Sequence, residues 1–197
     1  MRAEPLYIFA YGSQMWDPSF EFESWSYGVV KGYHRSPCIY STIYHGTDEH
    51  PGLVFGLDEG GECEGIVYRV SSRHSEKVLT AIRRKEMPTG LPVYIETLLP
   101  VTTADGIFSS VTFIANQNCI KYAGHLSDTA RVELMARSVG ENGPCLEYYK
   151  AAVERMAKMG IQDEYLTNLI CRAEIFVSRE LAAEVSSRET KRSEEHT

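Results

Sequence analysis

The sequence predicts an α+β fold, because a strand-rich first half is followed by a helical second half. Up to about residue 115, short β-rich runs alternate with glycine-containing turns, a spacing typical of a small barrel or a strongly curved sheet. From Asn116 onward, apolar residues recur with the 3.6-residue period of amphipathic helices. A chain of 197 residues suits one domain with a sizeable core. We therefore expect a single α+β domain over residues 1–178.

The first predicted element is a buried strand that ends at Tyr11-Gly12-Ser13. An apolar and aromatic run, residues 6–9, leads into this glycine and small hydroxyl residue, a pattern that predicts a tight turn. Glycine permits positive φ and lets another group approach the backbone. Successive backbone N–H groups at such a strand end can also hold an anion or a carbonyl oxygen. On the pattern alone, a plain β-turn is favoured over a binding loop.

Four β-rich runs follow, at residues 28–33, 38–44, 53–57 and 64–70. The stretch before them, residues 16–26, has no clear period and predicts an irregular connection. Asp58-Glu59-Gly60-Gly61 is a short acidic link between the last two runs, which predicts a hairpin there.

A helix is predicted from Ser71-Ser72 to Glu86, with a serine cap and Glu76 in its first turn. Met87-Pro88 should end it, because the residue before proline avoids helical angles. Two strands, residues 93–101 and 107–115, should then form a hairpin around Asp105-Gly106.

The second half predicts three helices, separated by glycines. The first runs from about Ser127 to Val139, and the second from Pro144 to Met159 with Gly160 as its end. A third begins at Ile161. The charged tail from 179 is an exposed helix or, as we expect, a disordered segment. The last six residues, 192–197, look like a translated sequencing adapter and carry no predicted function.

Charge and cysteine usage exclude several classes of function. The formal net charge of −7 disfavours nucleic acid or an anionic membrane as a partner. No apolar run approaches membrane-spanning length, and the start lacks the long apolar region of a signal peptide. The five cysteines are odd in number, widely spaced and without a CxxC pair, so we expect small core residues rather than disulfides or zinc ligands. A cytoplasmic location is the default expectation.

Glu86 is the residue most suggestive of chemistry. On the predicted helix, Leu79 and Ile82 continue to Glu86 at steps of three and four, so the carboxylate lies on a core-facing stripe. Burial and the negative end of the helix dipole both favour its protonated form, whereas Lys85 and the two arginines before it oppose it, and the sequence leaves the balance open. A raised pKa would suit a general acid/base. The alternative is a frayed helix end with a solvated carboxylate.

Other candidate sites are weaker. The six histidines lack metal-ligand spacing, and neither a Gly-x-Ser-x-Gly elbow nor a phosphate-binding glycine loop is present. Tyr148 and Tyr149 are adjacent, so both cannot face the core, and one should face a cleft or solvent.

An ordered set of motifs resembles ChaC-type γ-glutamylcyclotransferases, with details like those of bacterial members. The motifs extend from about Leu6 to Cys171, and their order makes the resemblance specific. They are Phe9–Trp16, Gly32–Arg35, Tyr40–Thr42, Pro51–Leu57, Gly60–Arg69, Lys85–Met87 with Thr89-Gly90, Gly143-Pro144 with Glu147-Tyr148, and Met159–Ile161.

The resemblance implies a γ-glutamylcyclotransferase-like fold, a small mixed β-barrel flanked by helices. It also implies that a small-molecule substrate, glutathione, is converted to 5-oxoproline and cysteinylglycine without a metal or cofactor. Glu86 matches the catalytic acid/base of the family. The matched substrate-binding residues are Phe9, Ala10, Tyr11, Gly12, Ser13, Gln14 and Tyr148. The oligomeric state stays open.

Three departures from the family pattern concern substrate preference more than chemistry. Gln14 stands where leucine is usual, Lys85 replaces the arginine before the catalytic glutamate, and the segment after Glu86 is altered. Other γ-glutamyl amino acids or amines are therefore alternative substrates. A non-catalytic binding protein on the same fold is a further alternative.

Overall fold

The structure, a computed structural model, describes residues 4–86 and 90–194. Its chain forms two compact units. The first comprises Met1–Tyr40, Val54–His125 and Arg155–Ile161, and the second comprises Ser41–Leu53, Leu126–Glu154 and Gln162–Thr197. The predicted single-domain boundary at residue 178 stays a prediction. Among the described residues, no helix combines the length and the apolar character needed to cross a membrane.

A closed barrel of five strands, in the order β1-β3-β2-β4-β5, dominates the first unit. Strand β1 pairs antiparallel with β3, from Leu6 opposite Val70 to Ala10 opposite Ile66. It also meets β5 in parallel, with Ile8 opposite Val111. The strands are β1 Leu6–Ala10, β2 Ser24–Ser41, β3 Gly52–Val70, β4 Tyr94–Thr103 and β5 Gly106–Ala115.

Inward-facing apolar side chains fill the barrel. Each fully buried aliphatic or aromatic side chain of this kind contributes roughly 1.5–3 kcal/mol of transfer free energy. Because successive side chains of a strand point to opposite faces, the alternation of apolar and polar residues determines which side chains face the barrel interior. One core cluster consists of Phe9, Val30, Leu57, Cys63, Val67 and Val101.

The predicted hairpin at residues 58–61 is wrong, because β3 continues through this link as one strand of 19 residues. Gly60 and Gly61 have φ angles of 97° and 68°, so they bend the strand locally without reversing it. His34 Nδ1 on β2 lies 3.1 Å from the carbonyl oxygen of Gly60. Likewise, the run predicted at 28–33 and most of the run predicted at 38–44 lie in one strand, β2, which begins within the stretch predicted to be irregular and ends at Ser41.

The helix and hairpin after β3 are confirmed. Helix α1 covers Ser75–Glu86 and buries Val78 and Ile82. It begins later than predicted, because a turn at Ser71 precedes it, in which the N–H of His74 donates to the Ser71 carbonyl at 2.9 Å. Its predicted end signal, Met87-Pro88, lies outside the described residues. Strands β4 and β5 pair from Tyr94 opposite Ala115 to Thr103 opposite Gly106.

Three helices follow, as predicted. They are α2 Asp128–Arg137, α3 Cys145–Lys158 and α4 Glu164–Glu194. Ser127 caps α2, since its hydroxyl accepts from the N–H of Ala130 at 3.3 Å. Gly160 adopts a φ of 79° beyond the end of α3, as expected of a glycine that stops a helix.

Two boundaries in this half differ from the prediction. Pro144 lies in a two-residue strand, β7 Gly143–Pro144, which pairs with β6 Val139–Gly140 instead of opening α3. Ile161 is buried before α4 begins at Glu164. Helix α4 continues to Glu194, so residues 179–194 are helical rather than the disordered segment that we expected. The adapter-like end is described only up to Glu194.

Candidate active site

The loop after β1 is a tight turn, as predicted, and we call residues 11–16 the Tyr11 loop. Ser13–Met15 form a single 3-10 turn. The N–H of Met15 donates to the Gly12 carbonyl at 2.9 Å, and that of Trp16 donates to the Ser13 carbonyl at 3.2 Å. Gly12 has a φ of −127°, so it does not use left-handed angles. A Cβ there would meet no atom within 4 Å, so the space beside Gly12 is open.

A buried arginine on β2, Arg35, holds this loop in place. Arg35 is only 6% exposed. Its Nε donates to the Tyr11 carbonyl at 2.6 Å, and its Nη2 donates to the Glu64 carbonyl at 2.6 Å. These charge-assisted bonds fix the position of Tyr11 and place a positive charge next to the loop backbone.

Two tyrosine hydroxyls stabilise the same loop. Tyr68 on β3 donates towards the carbonyl oxygens of Gln14 and Met15, at 3.0 and 2.9 Å. Burial raises the pKa of Tyr68 to about 12. The Tyr11 hydroxyl donates to the Phe113 carbonyl at 2.7 Å, and burial raises its pKa well above the ordinary value of 10.0. Both phenols therefore keep their protons and act as donors at neutral pH.

Glu86, at the end of α1, is partly buried beside the loop. Gln14 Nε2 donates to Glu86 Oε1 at 2.7 Å. Burial raises the pKa of Glu86 above the ordinary 4.5, while the Gln14 hydrogen bond and the Lys85 charge act in the opposite direction. The sequence left the balance of these effects open; in the structure the pKa is raised, with burial as the largest cause.

The barrel brings the predicted Tyr11, Gly12, Ser13 and Gln14 together with Glu86 in the first unit. Phe9 and Ala10, by contrast, are only 2% and 3% exposed, backbone included. The carbonyl of Phe9 already accepts a hydrogen bond from the hydroxyl of Thr112, at 3.0 Å.

Tyr148 belongs to the second unit, where it lies on α3. Its ring stacks on His45, with centroids 4.3 Å apart and planes at 27°, and it meets Tyr149 edge-on at 4.9 Å. Tyr149 is fully buried and Tyr148 only partly, as the adjacency of the two rings predicted. Burial lowers the pKa of His45, which favours its neutral form beside Tyr148.

Four of the five cysteines are buried, and all five are free thiols. Cys145 is buried, its Sγ lies 3.3 Å from the Leu53 nitrogen, and burial raises the pKa of its thiol to about 11. Cys171 is exposed, so the expectation of a core position is wrong there. Within residues 4–86 and 90–194, no three His, Cys, Asp or Glu side chains lie close enough to share a metal ion.

Sequence reasoning missed the roles of Arg35 and Tyr68. Both lie within motifs of the family resemblance, Gly32–Arg35 and Gly60–Arg69, but the motifs do not indicate which groups these side chains contact. Residues 35–39 are all buried, which removes the alternation that marks an inward-facing position. The signal that could have identified Arg35 is its place at the start of this run, because an arginine that is buried needs hydrogen-bond partners.

Comparisons with known proteins agree with this architecture. A sequence profile of the family described as ChaC-like protein matches residues 6–175. The glutathione-specific γ-glutamylcyclotransferase of Escherichia coli (strain K12) is 32% identical over 167 residues, which cover 84% of this chain and 71% of that protein. The human glutathione-specific γ-glutamylcyclotransferase 1 is 28% identical over 172 residues, covering 85% and 78% of the two chains.

A solved structure confirms the predicted fold. The γ-glutamyl cyclotransferase specific to glutathione from yeast superposes with a TM-score of 0.77 at 17% identity. The superposition covers 88% of this chain and 97% of the yeast chain. At this identity the likeness shows a shared fold.

Proposed function

The chain belongs to the ChaC-like protein family, and on this premise we propose that it is a γ-glutamylcyclotransferase that cleaves glutathione to 5-oxoproline and Cys-Gly. The E. coli and human relatives carry the name of this glutathione-specific activity. The observation that carries the proposal for this chain is Glu86, a partly buried carboxyl of raised pKa, hydrogen-bonded at 2.7 Å to the Tyr11 loop.

The chemistry follows from the substrate itself. The α-amine of a γ-glutamyl group can reach its own γ-carbonyl and close a five-membered ring. A new C–N bond forms within the glutamyl group, and the C–N bond to Cys-Gly breaks. An enzyme that holds the group folded in this near-attack shape gains much of its acceleration from intramolecularity. Beyond this positioning, the proton transfers require an acid/base.

Glu86 is the proposed acid/base. As a carboxylate it takes a proton from the α-ammonium and so generates the nucleophilic amine. As a carboxylic acid it returns a proton to the departing amide nitrogen, which would otherwise leave as a poor anion. A pKa raised by burial serves both steps, because the group must hold and release a proton near neutral pH.

The Tyr11 loop is the proposed binding element. The N–H groups of Ser13 and Gln14 lie at the start of a 3-10 turn, where the helical pattern offers no carbonyl partner. They can donate to the substrate carboxylate or to the developing oxyanion, and the charge of Arg35 next to the loop backbone favours either anion. We propose Phe9, Ala10 and Tyr148 as further substrate-binding residues on their motif matches alone.

The decisive experiment measures 5-oxoproline and Cys-Gly released from glutathione by the wild type and by Glu86→Gln. The variant keeps the side-chain size but cannot carry the proton, so kcat should fall by roughly 10²–10⁴-fold. Glu76→Gln is the matched control, since it changes an exposed glutamate on the same helix. Near-normal turnover by Glu86→Gln would refute the role of Glu86.

Parallel assays separate the remaining alternatives. Faster release of 5-oxoproline from γ-glutamyl-alanine than from glutathione would favour another γ-glutamyl compound as substrate. A non-catalytic binding protein would release none from either. Activity should survive dialysis against EDTA, because the ring closure needs no metal. We further propose a cytoplasmic location, supported by the odd number and wide spacing of the cysteines.

A further inference from the structure

Gln14 is the residue of the Tyr11 loop that directly contacts Glu86. Its side-chain amide donates to Glu86 Oε1 at 2.7 Å, across 72 positions of the chain. This is the short distance typical of a hydrogen bond to a charged acceptor. A leucine, which is usual at this position in the family that the sequence resembles, has no donor to offer.

The backbone that carries Gln14 is held in place. Its carbonyl accepts from the buried Tyr68 hydroxyl at 3.0 Å, and Met15 closes the turn onto Gly12 at 2.9 Å. Glu86, by contrast, is carried by α1, on which the preceding Arg84 and Lys85 are exposed. The Gln14 hydrogen bond therefore ties the Glu86 carboxylate to a loop that is itself anchored.

Among the described residues, Lys85 is the charged group that shifts the pKa of the Glu86 carboxyl. Lys85 on its own helix lowers its pKa, as does the Gln14 hydrogen bond, and burial outweighs both. Tyr11, on the loop, is near enough for Glu86 to help raise the pKa of its phenol, which stays neutral and donates to the Phe113 carbonyl. Gln14 is thus a neutral donor aimed at the carboxylate, and a neutral donor favours the ionised form.

We infer that Gln14 is a positioning residue that holds Glu86 in one orientation and favours the carboxylate, which sets the lower pH limit of the reaction. The inference rests on the proposed function of Glu86. It assigns the Gln14 side chain a role exerted through the catalytic group, while the Gln14 backbone N–H keeps its proposed role in substrate binding.

The test is the pH dependence of kcat/KM for glutathione in wild type, Gln14→Met and Gln14→Leu. Loss of one charge-assisted donor should move the acidic limb up by about one pH unit. At pH values below the limb, kcat/KM of each variant should be about tenfold lower than that of the wild type. On the plateau, the kcat/KM values of the three proteins should lie closer together. Gln14→Leu provides a second variant of different shape, should Gln14→Met fold poorly.

Gln117→Met is the matched control, because it removes another glutamine–carboxylate bond in the same unit, the one from Gln117 to Asp58 at 3.1 Å. It should leave the acidic limb in place. Superimposable limbs for wild type and both Gln14 variants would overturn the inference, as would an equal shift in Gln117→Met.

A second measurement separates this inference from the proposed function. The side-chain carboxyl of Glu86 can be titrated by ¹³C NMR in wild type and Gln14→Met, whether or not either protein turns over glutathione. A midpoint that rises in the variant supports the positioning role, and an unchanged midpoint overturns it. Absence of 5-oxoproline from the wild type would instead reject the proposed function.

Discussion

Arg35→Lys should destabilise the protein and weaken the site together, because one buried guanidinium anchors both β3 and the Tyr11 loop. Arg35 donates to the carbonyl oxygens of Tyr11 and Glu64, each at 2.6 Å. Lysine keeps the charge but presents it as a point on a flexible stem, so it cannot reproduce the rigid fork that spans both carbonyls.

The magnitude follows from the lost bond. A hydrogen bond to a charged group contributes about 1.5–3 kcal/mol, and an unpaired buried carbonyl costs a similar amount. We expect the free energy of unfolding to fall by about 2 kcal/mol. For a chain of 197 residues this corresponds to a Tm lower by roughly 4–8 °C. Because the freed carbonyl belongs to Tyr11, kcat/KM for glutathione should fall at least about tenfold.

Urea unfolding followed by circular dichroism, with m values compared, measures the stability change. Arg69→Lys is the control: this arginine also lies in the barrel, but it is 44% exposed and pairs with Glu23 at the surface, where an ion pair contributes less than about 1 kcal/mol. Equal losses for Arg35→Lys and Arg69→Lys, or a loss below about 0.5 kcal/mol in Arg35→Lys, would refute the reasoning.

Three further predictions follow from the same part of the fold. Since the pKa of Glu86 in the folded protein lies above 4.5, the free energy of unfolding of the wild type should fall as pH rises through that pKa. The free energy of unfolding of Glu86→Gln relative to wild type, measured by urea titration, should therefore increase from pH 4.5 to 8, and a decrease would contradict this. Tyr68→Phe keeps its shape but removes the donor to Gln14, and should cost about 1–2 kcal/mol by the same measurement; a value near zero contradicts it. Iodoacetamide at pH 8 should label the exposed Cys171 within minutes and spare native Cys145, whose thiol pKa is about 11; mass spectrometry of tryptic peptides that finds Cys145 labelled first would disprove this.

The sequence predicted elements whose formation depends on local pattern. Helix α1, the hairpin of β4 and β5, and the turn at Gly12 all follow from apolar periodicity and turn residues, which act over a few neighbouring positions. The partial burial of Glu86 was predictable for the same reason, because its place on a helical stripe is a local property.

Elements that depend on distant partners were predicted less well. Two glycines in an acidic link favour a reversal of the chain, but β3 continues through them as one strand that lies between β1 and β2 in the closed barrel. Local turn propensity is weak compared with the pairing and burial that an extended strand gains in a closed barrel.

The sequence by itself determined the class of fold, the family through its ordered motifs, and the carboxylate with the strongest claim to chemistry. The tertiary structure decided what surrounds that carboxylate. Gln14 reaches Glu86 across 72 positions, and Arg35 meets the Tyr11 carbonyl across 24. Contacts at such separations arise only when the barrel closes, because no local period or turn residue encodes which side chains then face each other.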